Sequence, residues 1–447
     1  MTTPELSAPK WYRDRWLVGI LVLAAILGLI YNGVIMVGYG VDETRHMNYV
    51  KLLFEERTFP HLVAGGATDA AGHEPEYKGA HTYHPPLYYL ALVPFYAIFH
   101  NLPGDTVWHL LRGISLLMCL AALPFAYQIA LHATRGSLPA SRLCVAQIAL
   151  VPMWGMTAAT IINDALVFLM ATVFLWLLVV VYPQERSLKS AGVIGLVFGL
   201  CIVSKANALP ANAVALAIYL IAQYGKNIWR SGEAWKRLAI VVGVSVVVAG
   251  PWHLYNLAQY GSLMHSPPPM PSPALPAPSN GILVMLLHDN FPQHVVLVFQ
   301  GLFNTMWSQK DWIPEGVRDG IYWAFFLYCL IALVGLVAKR PRIKDETVTL
   351  EESLPQRLAL LTSGGAFLIS ALIVIVIALF VHWGWAEGGR YLFPALIGIS
   401  VLIASGWQQL AGRKGANAVL GLWIAAMLLL NGTCIYWLVT YLNPKVG

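Results

Sequence analysis

The sequence of 447 residues is short of charged side chains. Only 11% of its residues are Asp, Glu, Lys or Arg, whereas 58% are hydrophobic, and the mean hydropathy is +0.63. A soluble domain carries roughly a quarter charged residues, so this composition excludes one large soluble core. Apolar runs long enough to cross a bilayer recur along the chain, and they predict a polytopic membrane protein.

Cysteine is also scarce, and concentrated positive charge is absent. The five cysteines lie scattered in apolar segments, and no two have the spacing of a metal site or a redox motif. They are Cys119, Cys144, Cys201, Cys329 and Cys434. We interpret them as small core residues. The basic residues lie in short loops and not in one patch, which argues against nucleic-acid binding.

Eleven apolar segments are predicted to span the membrane. They are 16–38, 106–131, 140–160, 163–182, 190–208, 209–224, 236–257, 320–338, 357–381, 390–408 and 417–440. The first is predicted to be a signal anchor, not a cleavable signal peptide. Two other apolar stretches, 85–100 and 282–305, are short or interrupted by polar residues. We interpret both as interfacial or re-entrant helices.

The placement of positive charge predicts the orientation. Most Lys and Arg residues fall in loops on the same side as the amino terminus, which the positive-inside rule makes cytoplasmic. The two long loops, 39–105 and 258–319, then both lie outside. The prediction is a single all-α integral membrane domain over residues 1–447 without a separate soluble domain. Loop 39–105 is the expected catalytic loop, and loop 258–319 is the second outer loop.

Two acidic motifs lie at the predicted outer ends of helices. Asp42 and Glu43 directly follow the first apolar run, and Asp164 follows Asn163 at a tight turn. A partly desolvated carboxylate in such a place is a candidate general base. Alternatively, these residues cap the amino ends of helices, where the positive end of the helix dipole stabilises a carboxylate. Both interpretations stay open at this stage.

Three basic residues share the same outer ends of helices. Arg112, Lys205 and Arg390 each lie where an apolar run begins or ends. Ionisable residues at membrane depth are costly and tend to mark function, and cations there suit a lipid phosphate. The alternative is that their long side chains reach toward the headgroups without a specific partner.

Histidine and tyrosine residues are predicted to complete a substrate site on the outer side. They are His46, Tyr83, His84, Tyr88, His288 and Tyr391. A divalent metal is possible near the acidic pair, where His46, His81 and His84 could bind it with Asp42 or Glu43. The candidate ligands named for it are Glu43, His84 and His288. Tight ligand spacing is absent, and the alternative is a belt of interfacial aromatic residues.

Together these residues resemble the polyprenyl-phosphate-dependent glycosyltransferases of the GT-C superfamily, in particular the branch of protein O-mannosyltransferases and 4-amino-arabinose lipid A transferases. The resemblance covers the first helix to about residue 260, with a further trace near residue 390. It rests on the pair Asp42-Glu43, the segment Pro85-Pro86-Leu87-Tyr88-Tyr89, Arg112, Asp164, the run 201–210, the segment 251–256 and Gly389-Arg390-Tyr391.

The resemblance implies an inverting transferase that takes a sugar from a polyprenyl-phosphate donor. It implies that Asp42 is the base, with Glu43 and Asp164 as further catalytic residues. It also implies that Arg112, Lys205 and Arg390 neutralise the lipid phosphate. Some members carry a metal near the acidic loop. Members that modify proteins carry inserted soluble domains, so a glycolipid or cell-wall acceptor is favoured over a protein acceptor. The expected location is a bacterial inner membrane, with the site on its outer face.

Two other classes fit a membrane protein of this kind. Charged residues in the middle of spans would support a transporter or flippase of a lipid-linked or small polar substrate. Here the charges lie at the predicted outer ends of helices, which favours chemistry at the membrane surface. An O-antigen polymerase or ligase also has a large outer loop, but it lacks an acidic pair directly after the first helix.

Overall fold

The computed structural model of the chain describes residues 11–59, 83–264, 285–337, 350–381 and 388–442. These ranges are helical and contain no strand, which confirms the predicted all-α fold. The helices are α1 (Arg15–Val34), α2 (Glu43–Glu55), α3 (Leu87–Phe99), α4 (Gly104–Ala133), α5 (Leu138–Ala149), α6 (Pro152–Ala158), α7 (Asp164–Trp176), α8 (Leu188–Ser204), α9 (Ala208–Tyr224), α10 (Gly232–Tyr260), α11 (Phe291–Trp307), α12 (Glu315–Val337), α13 (Leu350–Phe380) and α14 (Leu396–Trp437). A 3-10 helix, Gly389–Ala395, leads into α14, which bends at Gly412.

Within the described ranges, nine helical segments are long and apolar enough to cross a membrane. They are Arg15–Val34, Gly104–Ala133, Asp164–Val181, Ala208–Arg230, Gly232–Tyr260, Glu315–Val337, Leu358–Phe380, Gly389–Gly412 and Lys414–Tyr441. The chain is therefore an integral membrane protein, but the predicted count of eleven spans is not confirmed. Of the two other predicted spans, one is the 17-residue helix α8 and the other is divided between α5 and α6.

The predicted span 140–160 is interrupted because Pro152 lacks a backbone N–H and starts a new helix. The carbonyl of Leu150 at this break accepts a hydrogen bond of 2.8 Å from Nδ2 of Asn431 on α14. The surrounding helices bury almost every side chain of α5 and α6. Irregular backbone at membrane depth is tolerated where protein covers it and supplies partners.

Two apolar helices are shorter than a membrane is thick. Helix α3 has 13 residues and α11 has 17, which at 1.5 Å per residue gives about 20 Å and 26 Å against roughly 30 Å of hydrocarbon. These lengths suit the interfacial or re-entrant helices predicted for 85–100 and 282–305, and that placement stays a prediction.

Because successive spans run in opposite directions, the same end of the bundle collects both helix starts and helix ends. The carboxyl ends of α1 and α8 lie there with the amino ends of α4, α7 and α9 and the 3-10 helix, as the contacts below show. All the predicted acidic and basic site residues lie within a few turns of this end.

Candidate functional site

Glu43 and Arg112 form a buried ion pair behind the end of α1. Nε and Nη2 of Arg112 donate to the two carboxylate oxygens of Glu43 at 2.7 and 2.6 Å. The other N–H groups of the guanidinium donate to the carbonyls of Asn32, Ile35 and Met36 at 2.7 to 2.9 Å. All five donors of the guanidinium are thereby occupied. This geometry makes Arg112 a cap for the negative end of α1 and does not suit the phosphate contact expected from the sequence.

Both oxygens of the Glu43 carboxylate also accept hydrogen bonds within the protein. In addition to Arg112, the backbone N–H groups of Gly40 and Ile161 donate to it at 3.2 and 3.0 Å. Ile161 belongs to the turn that precedes α7, so Glu43 joins the loop after α1 to the turn that carries Asp164. The side chain has no exposed surface, and its position indicates a structural role in place of the expected catalytic one.

Asp42 has a different environment, although it is the adjacent residue. Its backbone adopts the left-handed conformation with φ 56° and ψ 15°, which Asp tolerates better than most residues. It precedes α2, but its side chain makes no capping hydrogen bond, so the structure does not support the helix-cap interpretation. Its side chain is 35% exposed. Asp42 is therefore the accessible member of the acidic pair.

A row of alternating charges runs inward from Asp42. Nη2 of Arg390 lies 3.4 Å from Oδ2 of Asp42, and Nε of Arg390 lies 3.6 Å from Oδ2 of Asp164. Nζ of Lys205 donates to Oδ1 of Asp164 at 2.6 Å. On the outer side, Nη1 of Arg45 lies 3.6 Å from Oδ1 of Asp42. The structure thus brings together four predicted site residues that are far apart in sequence.

The ring of Tyr391 supports both inner cations. Its centroid lies 5.4 Å from Nζ of Lys205 and 5.2 Å from Cζ of Arg390, within the range of cation–π attraction. The backbone carbonyl of Tyr391 accepts a hydrogen bond of 3.1 Å from Nδ2 of Asn207 at the start of α9. Tyr391 therefore contacts both cations and helps to fix them relative to each other.

The 3-10 helix that carries Arg390 and Tyr391 is attached to α11 through Gly389. The N–H of Gly389 donates to Oγ1 of Thr305 at 2.8 Å. A Cβ atom at this position would collide with the backbone of Leu302 and Met306. Glycine permits this close approach because it has no side chain.

A column of stacked rings extends from the loop into the interface of α2 and α3. His84 stacks on His46 with centroids 5.6 Å apart, and His46 stacks on Tyr89 at 5.7 Å. Nδ1 of His46 also shares a hydrogen bond of 2.7 Å with the hydroxyl of Tyr89, which in turn stacks on Tyr49 at 3.9 Å. The column holds His84 in a fixed orientation at the loop.

Tyr83 lies at the outer end of this column. Its ring packs against His84 with centroids 4.6 Å apart. Burial raises the pKa of the Tyr83 phenol well above its ordinary value, and the nearby Asp42 carboxylate raises it further. The phenol therefore stays protonated and can donate a hydrogen bond beside Asp42.

Two other predicted substrate residues lie elsewhere. Tyr88 is buried between α3 and α4, where its hydroxyl shares a hydrogen bond of 2.7 Å with Oγ of Ser115. His288 precedes α11, and its Nδ1 accepts a hydrogen bond of 3.2 Å from the N–H of Asn290. Neither arrangement presents the side chain to the cluster around Asp42. His81, mentioned with the metal candidates, lies outside the described residues.

The metal ligands suggested by the sequence are not brought together. In the part of the chain that the structure describes, no three His, Cys, Asp or Glu side chains are grouped so that they could hold a metal ion. Both oxygens of Glu43 already accept hydrogen bonds from N–H groups, and no described contact joins His84 to His288. The predicted set of Glu43, His84 and His288 does not fit a metal.

Comparisons with known proteins identify the fold. No protein-family model and no curated protein matches the sequence. The crystal structure of ArnT from Cupriavidus metallidurans bound to undecaprenyl phosphate matches with a TM-score of 0.50 and 14% identity, over 96% of this chain and 75% of that chain. The chain has the GT-C fold. The Archaeoglobus fulgidus oligosaccharyltransferase matches with a TM-score of 0.49 and 13% identity, over 96% of this chain and 55% of the other.

On this GT-C fold, the site includes residues that the sequence did not identify as functional. Arg45 lies one helical turn after Asp42, and this spacing could have indicated the pair. Asn163 and Asn207 flank the buried pair of Asp164 and Lys205 in sequence. Both amide atoms of Asn163 and Oδ1 of Asn207 are buried without a hydrogen-bond partner in the described structure. Such atoms are rare in folded proteins and often mark the place of a water or a ligand.

Proposed function

We propose that this protein transfers a sugar from a polyprenyl-phosphate donor to an acceptor hydroxyl at the membrane surface, with inversion at the anomeric carbon. The observation that carries the proposal is the accessible carboxylate of Asp42, which lies 3.4 Å from the guanidinium of Arg390. Arg390 and Lys205 are the two cations that contact the buried Asp164. The similarity to ArnT supports it, because that structure contains bound undecaprenyl phosphate.

Asp42 is the proposed general base. The acceptor oxygen attacks the anomeric carbon of the donor from the face opposite the phosphate, and its proton passes to the Asp42 carboxylate. The bond between the anomeric carbon and the phosphate oxygen breaks, and the bonding pair leaves with the polyprenyl phosphate. The base must be fixed and accessible, and the burial of Glu43 leaves Asp42 as the member of the pair with both properties.

Lys205 and Arg390 are the proposed phosphate-binding residues. Charge develops on the phosphate as the glycosidic bond breaks, and positioned cations stabilise it most where water is excluded. The side chains of Lys205 and Arg390 are only 8% and 11% exposed. Asp164 holds both of them and is proposed as a positioning residue. Arg112 is likewise proposed as a positioning residue, because it binds Glu43 at the end of α1 and does not face the phosphate.

The residues around Asp42 form the proposed substrate surface. Tyr83, His84 and Tyr391 present hydrogen-bonding groups and aromatic faces, and His46 orients His84 through the stacked column. A sugar ring or a glycolipid headgroup suits such a surface. The acceptor class proposed first is a glycolipid or cell-wall component, with a protein acceptor as the second possibility.

The proposed location is the outer face of a bacterial inner membrane. The distribution of Lys and Arg along the sequence supports this orientation, since most of them fall in the segments predicted to be cytoplasmic. A lipid-linked donor reaches such a site by diffusion within the bilayer, whereas a nucleotide sugar does not. The proposed reaction is written with the side chains of this chain alone.

The test is a transfer assay with purified protein in lipid nanodiscs. Each donor, a polyprenyl-phosphate sugar or the corresponding nucleotide sugar, is supplied alone with a lipid-linked acceptor. Transfer is expected only from the lipid donor. Asp42→Asn is expected to reduce turnover by roughly 10²–10⁴-fold, the usual contribution of a general base, while the protein folds normally.

Glu56→Gln is the matched control for Asp42→Asn. It removes one carboxylate at the exposed end of the same helix, and turnover is expected to stay at the level of the wild type. Transfer from a nucleotide sugar without a lipid intermediate would refute the proposed donor. Full turnover by Asp42→Asn would refute the proposed base.

A further inference from the structure

Arg390 contacts two carboxylates that belong to different parts of the site. Its Nη2 is 3.4 Å from Asp42, the proposed base, and its Nε is 3.6 Å from the buried Asp164. The remaining contact of Asp164 is the short hydrogen bond of 2.6 Å from Lys205. The guanidinium of Arg390 therefore connects the base to the proposed phosphate-binding group.

The two sides of this connection differ in strength. Charge-assisted N–H···O bonds are usually 2.7 to 2.9 Å long, so the contact between Lys205 and Asp164 is tight and both contacts of Arg390 are long. Asp42 is 35% exposed, whereas Asp164 is fully buried. Nε of Arg390 makes no hydrogen bond within the described structure, although it is buried. The N–H groups of Arg390 thus make only long contacts with the two carboxylates.

A phosphate group is a better partner for this guanidinium than either carboxylate at these distances. It offers several oxygens and more negative charge, and the planar fork of an arginine matches two of its oxygens at once. A phosphate beside Lys205 and Arg390 accepts a hydrogen bond from the Nη2 group of Arg390 that now faces Asp42. Since the contact to Asp42 is long and partly exposed, it is the contact of this row that yields at least cost.

We propose that Asp42 and the donor phosphate compete for Arg390, so that binding of the donor releases the base. This inference rests on the proposed function, and it adds the order of events. Without the donor, Arg390 holds the Asp42 carboxylate. With the donor bound, Arg390 turns to the phosphate, and Oδ2 of Asp42 loses its contact with Arg390. Asp42 can then accept the acceptor proton only when an activated sugar is present.

Competition predicts an effect of Asp42 on binding that is separate from catalysis. The experiment measures the affinity of undecaprenyl phosphate for the purified protein in nanodiscs at constant salt concentration. Asp42→Asn removes the competing charge and should tighten binding roughly two- to five-fold, the range expected for a partly exposed ion pair. Asn also tolerates the left-handed backbone conformation at this position, and the melting temperature of the variant reports whether it folds.

The double variant separates competition from simple repulsion. Arg390→Ala should weaken binding, and adding Asp42→Asn to it should bring no further gain, because the residue for which the two groups compete is gone. Glu56→Gln is the charge-matched control and should leave the affinity unchanged. Arg45→Ala is a second control, since Arg45 contacts the outer oxygen of Asp42 and not Asp164, and the gain from Asp42→Asn should persist in its background.

Each result decides between specific statements. A gain from Asp42→Asn that is equally large without Arg390 indicates long-range repulsion and overturns the competition. Unchanged affinity in Asp42→Asn also overturns it, while the proposed function stands if the protein binds the lipid. If the wild-type protein does not bind undecaprenyl phosphate at all, the proposed function itself fails, and the competition fails with it.

Discussion

The buried pair of Glu43 and Arg112 predicts that two adjacent acidic residues have opposite mutational phenotypes. Glu43→Gln replaces the carboxylate by an amide of almost the same shape and removes one charge. The guanidinium of Arg112 then stays buried with neutral partners only, namely the carbonyls at the end of α1 and the new amide oxygen. The variant is expected to lose stability, not only turnover.

The structure sets the size of this effect. Neither side chain of the pair has any exposed surface, and removing one partner of a buried ion pair costs about 3–5 kcal/mol. The carboxylate also accepts the N–H groups of Gly40 and Ile161, and the NH₂ group of Gln must face some of these donors. A folded protein is stable by about 5–15 kcal/mol, so the loss is a large share of the total.

Asp42→Asn is the matched comparison at the next residue. The contacts of Asp42 to Arg45 and Arg390 are 3.6 and 3.4 Å long and partly exposed, and pairs of this kind contribute about 1 kcal/mol or less. The assay is the unfolding of both variants in mixed micelles by increasing SDS, followed through tryptophan fluorescence, together with transfer activity.

The expected result is that Glu43→Gln is strongly destabilised and Asp42→Asn is stable but inactive. A Glu43→Gln protein within 1 kcal/mol of the wild type, with its turnover lost, would refute the structural role assigned to Glu43. It would also place the chemistry on the buried carboxylate.

Three further predictions concern the surroundings of the site. Gly389→Ala should displace the 3-10 helix and lower the affinity for lipid phosphate, because the added Cβ collides with the backbone of α11. Gly113→Ala is the control, since it has open space around it, and equal affinities of the two variants would contradict the prediction. Asn163→Leu should raise the SDS concentration at the unfolding midpoint, since an unpartnered buried amide costs about 1–3 kcal/mol, and it should also lower kcat/KM. Ser405→Ala removes another unpartnered buried group and should leave kcat/KM unchanged. Cysteines at the exposed positions Tyr39 and Lys226 should react with an impermeant maleimide from opposite sides of sealed vesicles, and reaction from one side would disprove the proposed orientation.

The sequence predicted the positions of most helices because a bilayer imposes a simple length and hydropathy on each span. It also predicted that Asp42, Asp164, Lys205 and Arg390 share one end of the bundle. That conclusion depends only on the alternating direction of the spans, and the contacts confirm the grouping. It did not depend on knowing which helices touch.

The interruption of the span 140–160 could not be predicted in the same way. Pro152 was visible in the sequence, but a proline inside an apolar run is compatible with a kinked helix as well as with two helices. The deciding partner is Asn431, nearly three hundred residues away, whose amide satisfies the carbonyl at the break. Hydropathy contains no information about such a distant hydrogen bond.

The roles of the charged residues were also beyond the sequence. Arg112 and Arg390 both lie near the same end of the helix bundle, and their local sequences do not distinguish a helix cap from a phosphate ligand. The difference arises from what surrounds each guanidinium. Five acceptors surround Arg112, whereas Arg390 faces two carboxylates at long distance and keeps donor capacity for a ligand.

The contrast between Asp42 and Glu43 explains how a loop can hold a reactive group firmly. A base must be accessible to its substrate, but an exposed side chain on a loop is usually mobile, and loss of position costs rate. Here the residue next to the proposed base is fixed by four N–H donors, one from its own loop and three from two other segments. The left-handed backbone at Asp42 separates the two side chains, so that one is buried while the other is partly exposed. The position of the proposed base is thus determined by the buried pair of its neighbour, which is why loss of Glu43 should disturb catalysis only through the fold.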